Sequence, residues 1–181
     1  LAAARHGMTC HIVDPANPLT ARTPLVVHVP SPAALSATAA DADIALGGVI
    51  TRAIKDGEIS GGAGEATIFH GSDSGPTRVI VVGTGSGEVR EDWQRAGGAI
   101  AKAASKVRAA KLTIALPPEI DTADARAVLD GVAFGNYRFD RFRSAPDGPA
   151  HSTLSTVALV GGGPAGAALT ATSRSALGST V

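Results

Sequence analysis

Short aliphatic and β-branched runs, bounded by Pro or Gly, alternate along this chain with longer segments of helical spacing. The first run is Leu25, Val26, Val27 and Val29, between Pro24 and Pro30. Ala66 to His70 follows Gly61-Gly-Ala-Gly64, and Arg78 to Val82 precedes Gly83-Thr-Gly-Ser-Gly87. Leu112 to Leu116 stops at Pro117-Pro118, and Thr153 to Val160 ends at a further glycine turn. Such runs, closed off by turn formers, are strands. Arg78 to Val82 is nearly all apolar, as expected of a strand covered on both faces.

Helices are expected between them. From Asp41 to Lys55, apolar residues recur at Ile44, Leu46, Ile50, Ala53 and Ile54, a helical period that runs through Gly47 and Gly48. Mid-helix glycines cost about 1 kcal/mol each relative to Ala, so close backbone packing is expected there. Glu91 to Arg108 carries an apolar face of Trp93, Ala96, Ile100, Ala103, Ala104 and Val107, with acids in its first turn and bases in its last, matching the helix dipole. Thr122 is a fair N-cap for a helix to about Phe134, and another is expected from Pro164 to about Leu177. Strands alternating with helices define an α/β domain of three layers, a mainly parallel or mixed sheet flanked by helices.

Its 181 residues suit one such domain, with 44% hydrophobic and 18% charged residues, a globular and not a disordered composition. Residues 1–22, with Pro15 and Pro18, read as an irregular lead-in, 23–177 as the single domain, and 178–181 as a linker or cut end. A start at Leu1 instead of Met implies numbering from within a longer reading frame, or after processing. Lysines plus arginines and aspartates plus glutamates each number 16, which argues against a long-range pull on nucleic acid or anionic membrane. The single cysteine, Cys10, cannot form an internal disulfide, and no apolar run approaches the roughly 18 residues of a membrane span. A cytoplasmic location, without a membrane partner, is the expectation.

Chemistry-bearing motifs are sparse. Gly161-Gly-Gly-Pro-Ala-Gly166 has dinucleotide-binding spacing, but only 15 residues follow it and none is acidic, whereas that mechanism needs a second strand and a ribose-holding acid. Gly83, Thr84, Gly85, Ser86 and Gly87 are better placed, after the most buried strand and before the longest helix. Glu88 stands where a third glycine is required, and Glu91 and Asp92 add negative charge where a pyrophosphate would sit. The loop is first of all a turn, and second a candidate phosphate or ADP-ribose pocket. The five histidines are scattered, no His-Glu-x-x-His occurs, and Cys10 with His6 and His11 lacks a fourth ligand; no metal or catalytic residue is assigned. Arg138, Arg141 and Arg143 form the densest basic patch and a candidate nucleic-acid contact, with Lys102, Lys106, Arg108 and Lys111 a second cluster.

Four of the six aromatic residues lie in Gly131-Val-Ala-Phe-Gly-Asn-Tyr-Arg-Phe-Asp-Arg-Phe-Arg-Ser144. In a chain so poor in aromatics, Phe134, Tyr137, Phe139 and Phe142 are expected to be packing anchors, with Trp93. This segment resembles the Gly-x-x-x-Gly-x-Tyr-x-Phe-Asp-x-Phe run near the end of the N-terminal, non-catalytic domain of leucyl (cytosol) aminopeptidases. Gly47 to Gly61 and Val79 to Gly85 resemble the same domain's first helix and loop and its central strand and turn. Together they cover residues 25–144 in order.

The resemblance implies a macro-domain-like fold and a parent metallopeptidase of two domains. The larger, C-terminal one would hold two divalent metals, zinc or manganese, that activate water to hydrolyse the first peptide bond of a substrate. The family's Asn-Thr-Asp-Ala-Glu-Gly-Arg signature is missing, since Asn17 and Asn136 are followed by Pro18 and Tyr137. The catalytic domain is thus expected to be absent, with no cofactor held by this chain and no peptide hydrolysis by it alone. The role implied is docking on its own catalytic domain and assembly of a homo-oligomer, a hexamer in such enzymes. Two alternatives remain open: a free-standing macro-like nucleotide or ADP-ribose module, and a DNA-binding domain.

Overall fold

The computed structural model describes residues 9–12, 18–136, 154–165 and 169. Six strands form one sheet in the order β1-β6-β5-β2-β4-β3. They are β1 (Thr9–Ile12), β2 (Leu25–Val29), β3 (Ala66–His70), β4 (Arg78–Gly83), β5 (Lys111–Leu116) and β6 (Thr156–Gly161). All neighbours pair in parallel except β3, which runs antiparallel to β4 with Ile68 opposite Ile80. The sheet is mixed, as the sequence allows. Residues 9–12, expected to be irregular, instead form the edge strand β1 beside β6, with Cys10 opposite Val157. Four residues are too short for a period-two pattern to stand out, and the pairing comes from β6, nearly 150 positions later.

Side chains alternate across the sheet, and the two faces bury separate cores. Val26, Ile80, Val82, Leu112, Ile114, Val157 and Leu159 face α3 (Arg90–Lys106) and α4 (Thr122–Asn136). Leu25, Val27, Val29, Val79 and Val81 face α1 (Ala37–Ala45) and α2 (Val49–Lys55). The result is the expected three-layer sandwich.

One helix was expected from Asp41 to Lys55; the structure has two. Gly47 and Gly48 take φ of 72° and 79°, a left-handed backbone that ends α1. No heavy atom lies within 4 Å of a side chain built at either glycine, so they serve the turn and not close packing. The break also shifts the helical phase: Ala39, Ala42 and Asp43 become the buried face of α1, and Ile44 is left 78% exposed. Asp43 reaches across the break to α2. Its Oδ1 accepts from the N–H groups of Ile50 at 2.7 Å and Thr51 at 3.2 Å, and its Oδ2 from the Thr51 hydroxyl. These are the free donors that a helix beginning at a glycine leaves uncapped.

On the other face, α3 and α4 meet backbone to backbone. A Cβ at Gly97 would collide with the Val128 carbonyl oxygen, and one at Gly131 with that of Gln94. Gly135 continues the seam against Ala101. The cap of α4 is Asp121, whose Oδ1 accepts from Asp124 N–H at 2.7 Å, one residue before the expected Thr122.

Candidate functional site

The connection after β2 leads to α1 on one face of the sheet, while those after its neighbours β4 and β5 lead to α3 and α4 on the other. Chains leaving adjacent strands in opposite directions open a crevice beyond the strand ends, where open α/β sheets bind ligands. A cavity of about 460 Å³ lies there. Its walls come from His28 near the end of β2 and Leu35 after it, Thr84, Ser86 and Trp93 after β4, and Glu119, Asp121 and Asp124 after β5.

Most donors of the glycine loop are already committed within the protein. The N–H of Gly83 donates to the Glu65 carbonyl, that of Thr84 to Val29, that of Gly85 to Gly61 and that of Gly87 to Thr84. The Thr84 hydroxyl points at the Val29 carbonyl, 3.5 Å away. Gly85, with φ of 61°, leaves no room for a side chain beside the Asp92 carboxylate. The neighbouring loop does present a ring of N–H groups, those of Ser60, Gly61 and Gly62, but they converge on Glu65 Oε2 at 3.0, 2.8 and 3.2 Å. This backbone nest holds a carboxylate of its own chain.

His28 forms the floor. It is 3% exposed, its Nδ1–H donates to the Ala115 carbonyl at 3.0 Å, and its ring centroid lies 5.9 Å from that of Trp93. Burial pushes its pKa down to about 4, only partly opposed by the Ala115 bond, so the ring is neutral at pH 7. Nε2 is therefore a bare acceptor, and it has no partner. Trp93 is buried and donates its indole N–H to the Gly87 carbonyl at 3.1 Å. Opposite, the Asp124 pKa is raised by burial and by the Asp121 charge, with Arg90 opposing. Among the described residues that line it, the crevice thus offers carboxylates and no Lys or Arg, a poor match to a pyrophosphate.

Of the sequence-predicted residues, Thr84, Ser86 and Gly87 line the crevice, and Gly83 and Gly85 lie in the turn behind them. Phe134, expected as a packing anchor, is 72% exposed. The glycine seam fixes which side of α4 faces α3, and Phe134 falls on the outer one. Tyr137, Phe139, Phe142, Arg138, Arg141 and Arg143 lie outside the described residues. His28 and the acidic wall were not singled out from sequence. His28 sits inside an apolar strand run, where alternation alone could have marked it as buried. Among the described residues no three His, Cys, Asp or Glu side chains come together as a metal site, and no helix is long and apolar enough to cross a membrane.

Known proteins give the arrangement a context. Residues 26–146 match the family model "Cytosol aminopeptidase family, N-terminal domain". The protein named "Probable cytosol aminopeptidase" of Synechococcus elongatus is 35% identical over 118 residues, 63% of this chain and 24% of that one. The "Neutral leucine aminopeptidase, chloroplastic" of Solanum lycopersicum is 31% identical over 129 residues, 67% of this chain and 22% of its own. This chain therefore spans about a quarter of the length of these relatives. In fold it is similar to a tomato leucine aminopeptidase variant, with a TM-score of 0.73 at 21% identity over 96% of this chain and 37% of that one. It is also similar to the macrodomain of Mycobacterium tuberculosis DarG, with a TM-score of 0.57 at 14% identity over 84% of this chain and 98% of that one. With the family model covering residues 26–146, the chain belongs to the cytosol aminopeptidase family, of which it carries the N-terminal domain.

Proposed function

We propose that this chain is the non-catalytic N-terminal domain of a cytoplasmic, metal-dependent leucyl-aminopeptidase-type enzyme. In this reading the parent removes N-terminal amino acids from peptides with two divalent metals, zinc or manganese, held by its catalytic domain. Both metals, and the hydrolytic step, belong in this reading to the catalytic domain. The chain's role is to dock on the catalytic domain and to support a hexameric assembly. The observation that carries this reading is the family match over residues 26–146, where the matched segment spans about a quarter of the relatives' length.

The test is a chimaera in which this chain replaces the matching segment of the Synechococcus elongatus relative. Light scattering should find the chimaera in the relative's own oligomeric state, with leucyl-amide hydrolysis retained. Deleting the segment should lose that assembly, and this chain alone should not hydrolyse the amide with added manganese or zinc. Turnover by the chain alone, or normal assembly without the segment, would overturn the reading.

A second reading, a nucleotide or ADP-ribose module, draws on the crevice and on the macrodomain likeness. The acidic wall and the committed N–H groups weigh against it, and saturable ADP-ribose binding lost in Gly85→Glu would revive it. The DNA reading rests on Arg138, Arg141 and Arg143, and steeply salt-dependent duplex binding would support it.

A further inference from the structure

The opposite end of the sheet has the reverse chemistry. Arg22 and Thr23 before β2, Thr77 and Arg78 at the start of β4, residues 107–110 between α3 and β5, and Lys111 at the start of β5 enclose a groove of about 390 Å³. Among the described residues that line it, Arg22, Arg78, Arg108 and Lys111 are cationic and none is a carboxylate. The two ion pairs among the described residues, Arg95 with Asp92 and Arg126 with Asp130, use none of the four. Arg78 is half-buried and donates one Nη1 bond to the Thr77 carbonyl at 2.7 Å, leaving the rest of its fork without a partner.

Arg108 is the only described non-glycine residue with positive φ, at 53°. That backbone costs on the order of 1 kcal/mol for a residue with a side chain. The turn is fixed on both sides: Arg108 N–H donates to Ser105, Ala109 N–H to Ala104, and the Ala110 carbonyl accepts from Ser155 and Thr156. A glycine would relieve the strain, yet the chain places a guanidinium at the rim of the groove. In a protein of zero net charge, four unneutralised cations around one concavity set up a local positive potential.

We propose that this basal groove binds a compact, multiply charged anion, a small molecule bearing phosphoryl groups. Guanidinium forks match phosphoryl oxygens in pairs, while Pro24, Val107 and Ala109 close the remaining wall. The size favours a small molecule over a polymer, because the cations surround a pocket and do not follow a stripe. Lys102 and Lys106, grouped with Arg108 and Lys111 by sequence alone, are not part of its lining.

The experiment is calorimetric titration of this chain with inorganic pyrophosphate, at ionic strength held constant with sodium chloride. Saturable one-to-one binding is expected, weakened by about tenfold or more in Arg78→Gln and in Arg108→Gln. The ligand-free thermal midpoints of both variants should stay close to the parent's. Lys111→Gln, at an exposed position, provides a third variant should either arginine change disturb folding. A lack of saturation, or affinity unchanged in folded variants, overturns the proposal. So does tighter binding of a short DNA duplex that the same changes abolish, which would make the groove a nucleic-acid surface.

Discussion

The two helical layers hold the sheet by different means. On one face, α3 and α4 run 17 and 15 residues and meet through glycines, so that close approach of backbones fixes their positions. On the other, α1 and α2 are only 9 and 7 residues long, separated by a glycine turn and bridged by one buried carboxylate. Shape fixes the first layer; a few polar contacts fix the second. The first should therefore fail by steric clash and the second by loss of a hydrogen-bonded charge.

The largest expected effect is at the seam. Alanine in place of Gly131 or Gly97 would gain up to about 1 kcal/mol of helix propensity, but its methyl meets a backbone carbonyl that cannot swing aside. The clash wins. Each variant should lose about 3 kcal/mol or more in urea unfolding, and stability equal to the parent's would show that the layer is not held by shape.

Next comes pH. His28 lies under the α3 layer with its pKa lowered from 6.5 to about 4 by burial. Between those values the unfolded chain binds the proton and the folded one does not, so stability is full above about pH 6.5 and falls as the pH drops to about 4. The loss sums to about 3 kcal/mol, and His28→Leu should flatten that limb of the pH profile. Asp43 behaves differently. Burial would raise its pKa, but bonds from Thr51 and Ile50, with Arg52 nearby, leave it below its ordinary value. Its contribution is present above the ordinary carboxylate range and is lost only as the pH falls below it. The two layers should thus weaken in separate acid windows.

Asp43→Ala should cost about 2 kcal/mol at pH 7, because it strips α2 of its cap and leaves N–H groups without acceptors. The smallest effect has the opposite sign. Gly98, next to Gly97 on α3, has no neighbour within 4 Å of a built Cβ, so Gly98→Ala should stabilise by about 0.5 to 1 kcal/mol. Adjacent glycines of one helix would then answer the same substitution in opposite directions, a difference that thermal midpoints of the two variants would read directly.

Alternation of apolar runs with helical periods made the layers legible, because both periods are local properties of the chain. Five of the six strands and α3 and α4 follow from it. The division of α1 from α2 does not, since the apolar spacing runs straight through Gly47-Gly48 and only the left-handed backbone shows the break. β1 was hidden because its partner is remote. The crevice was half legible: Gly83 to Gly87 marked the place, but its character comes from His28 and from Glu119, Asp121 and Asp124, brought together only by the crossover from β4 to β5. Phe134 shows the reverse error, in which scarcity of aromatics suggested packing and a helix face decided against it.

The glycine seam has a consequence for inheritance. Every glycine codon shares its first two bases, and changing either of them installs a side chain, or a stop. At Gly97 and Gly131 any such side chain strikes a backbone carbonyl, so no single-base amino-acid replacement there is mild. Gly98, one position along, is free to drift. Across natural variants of this chain, change should collect at the second glycine of the pair and leave the first untouched.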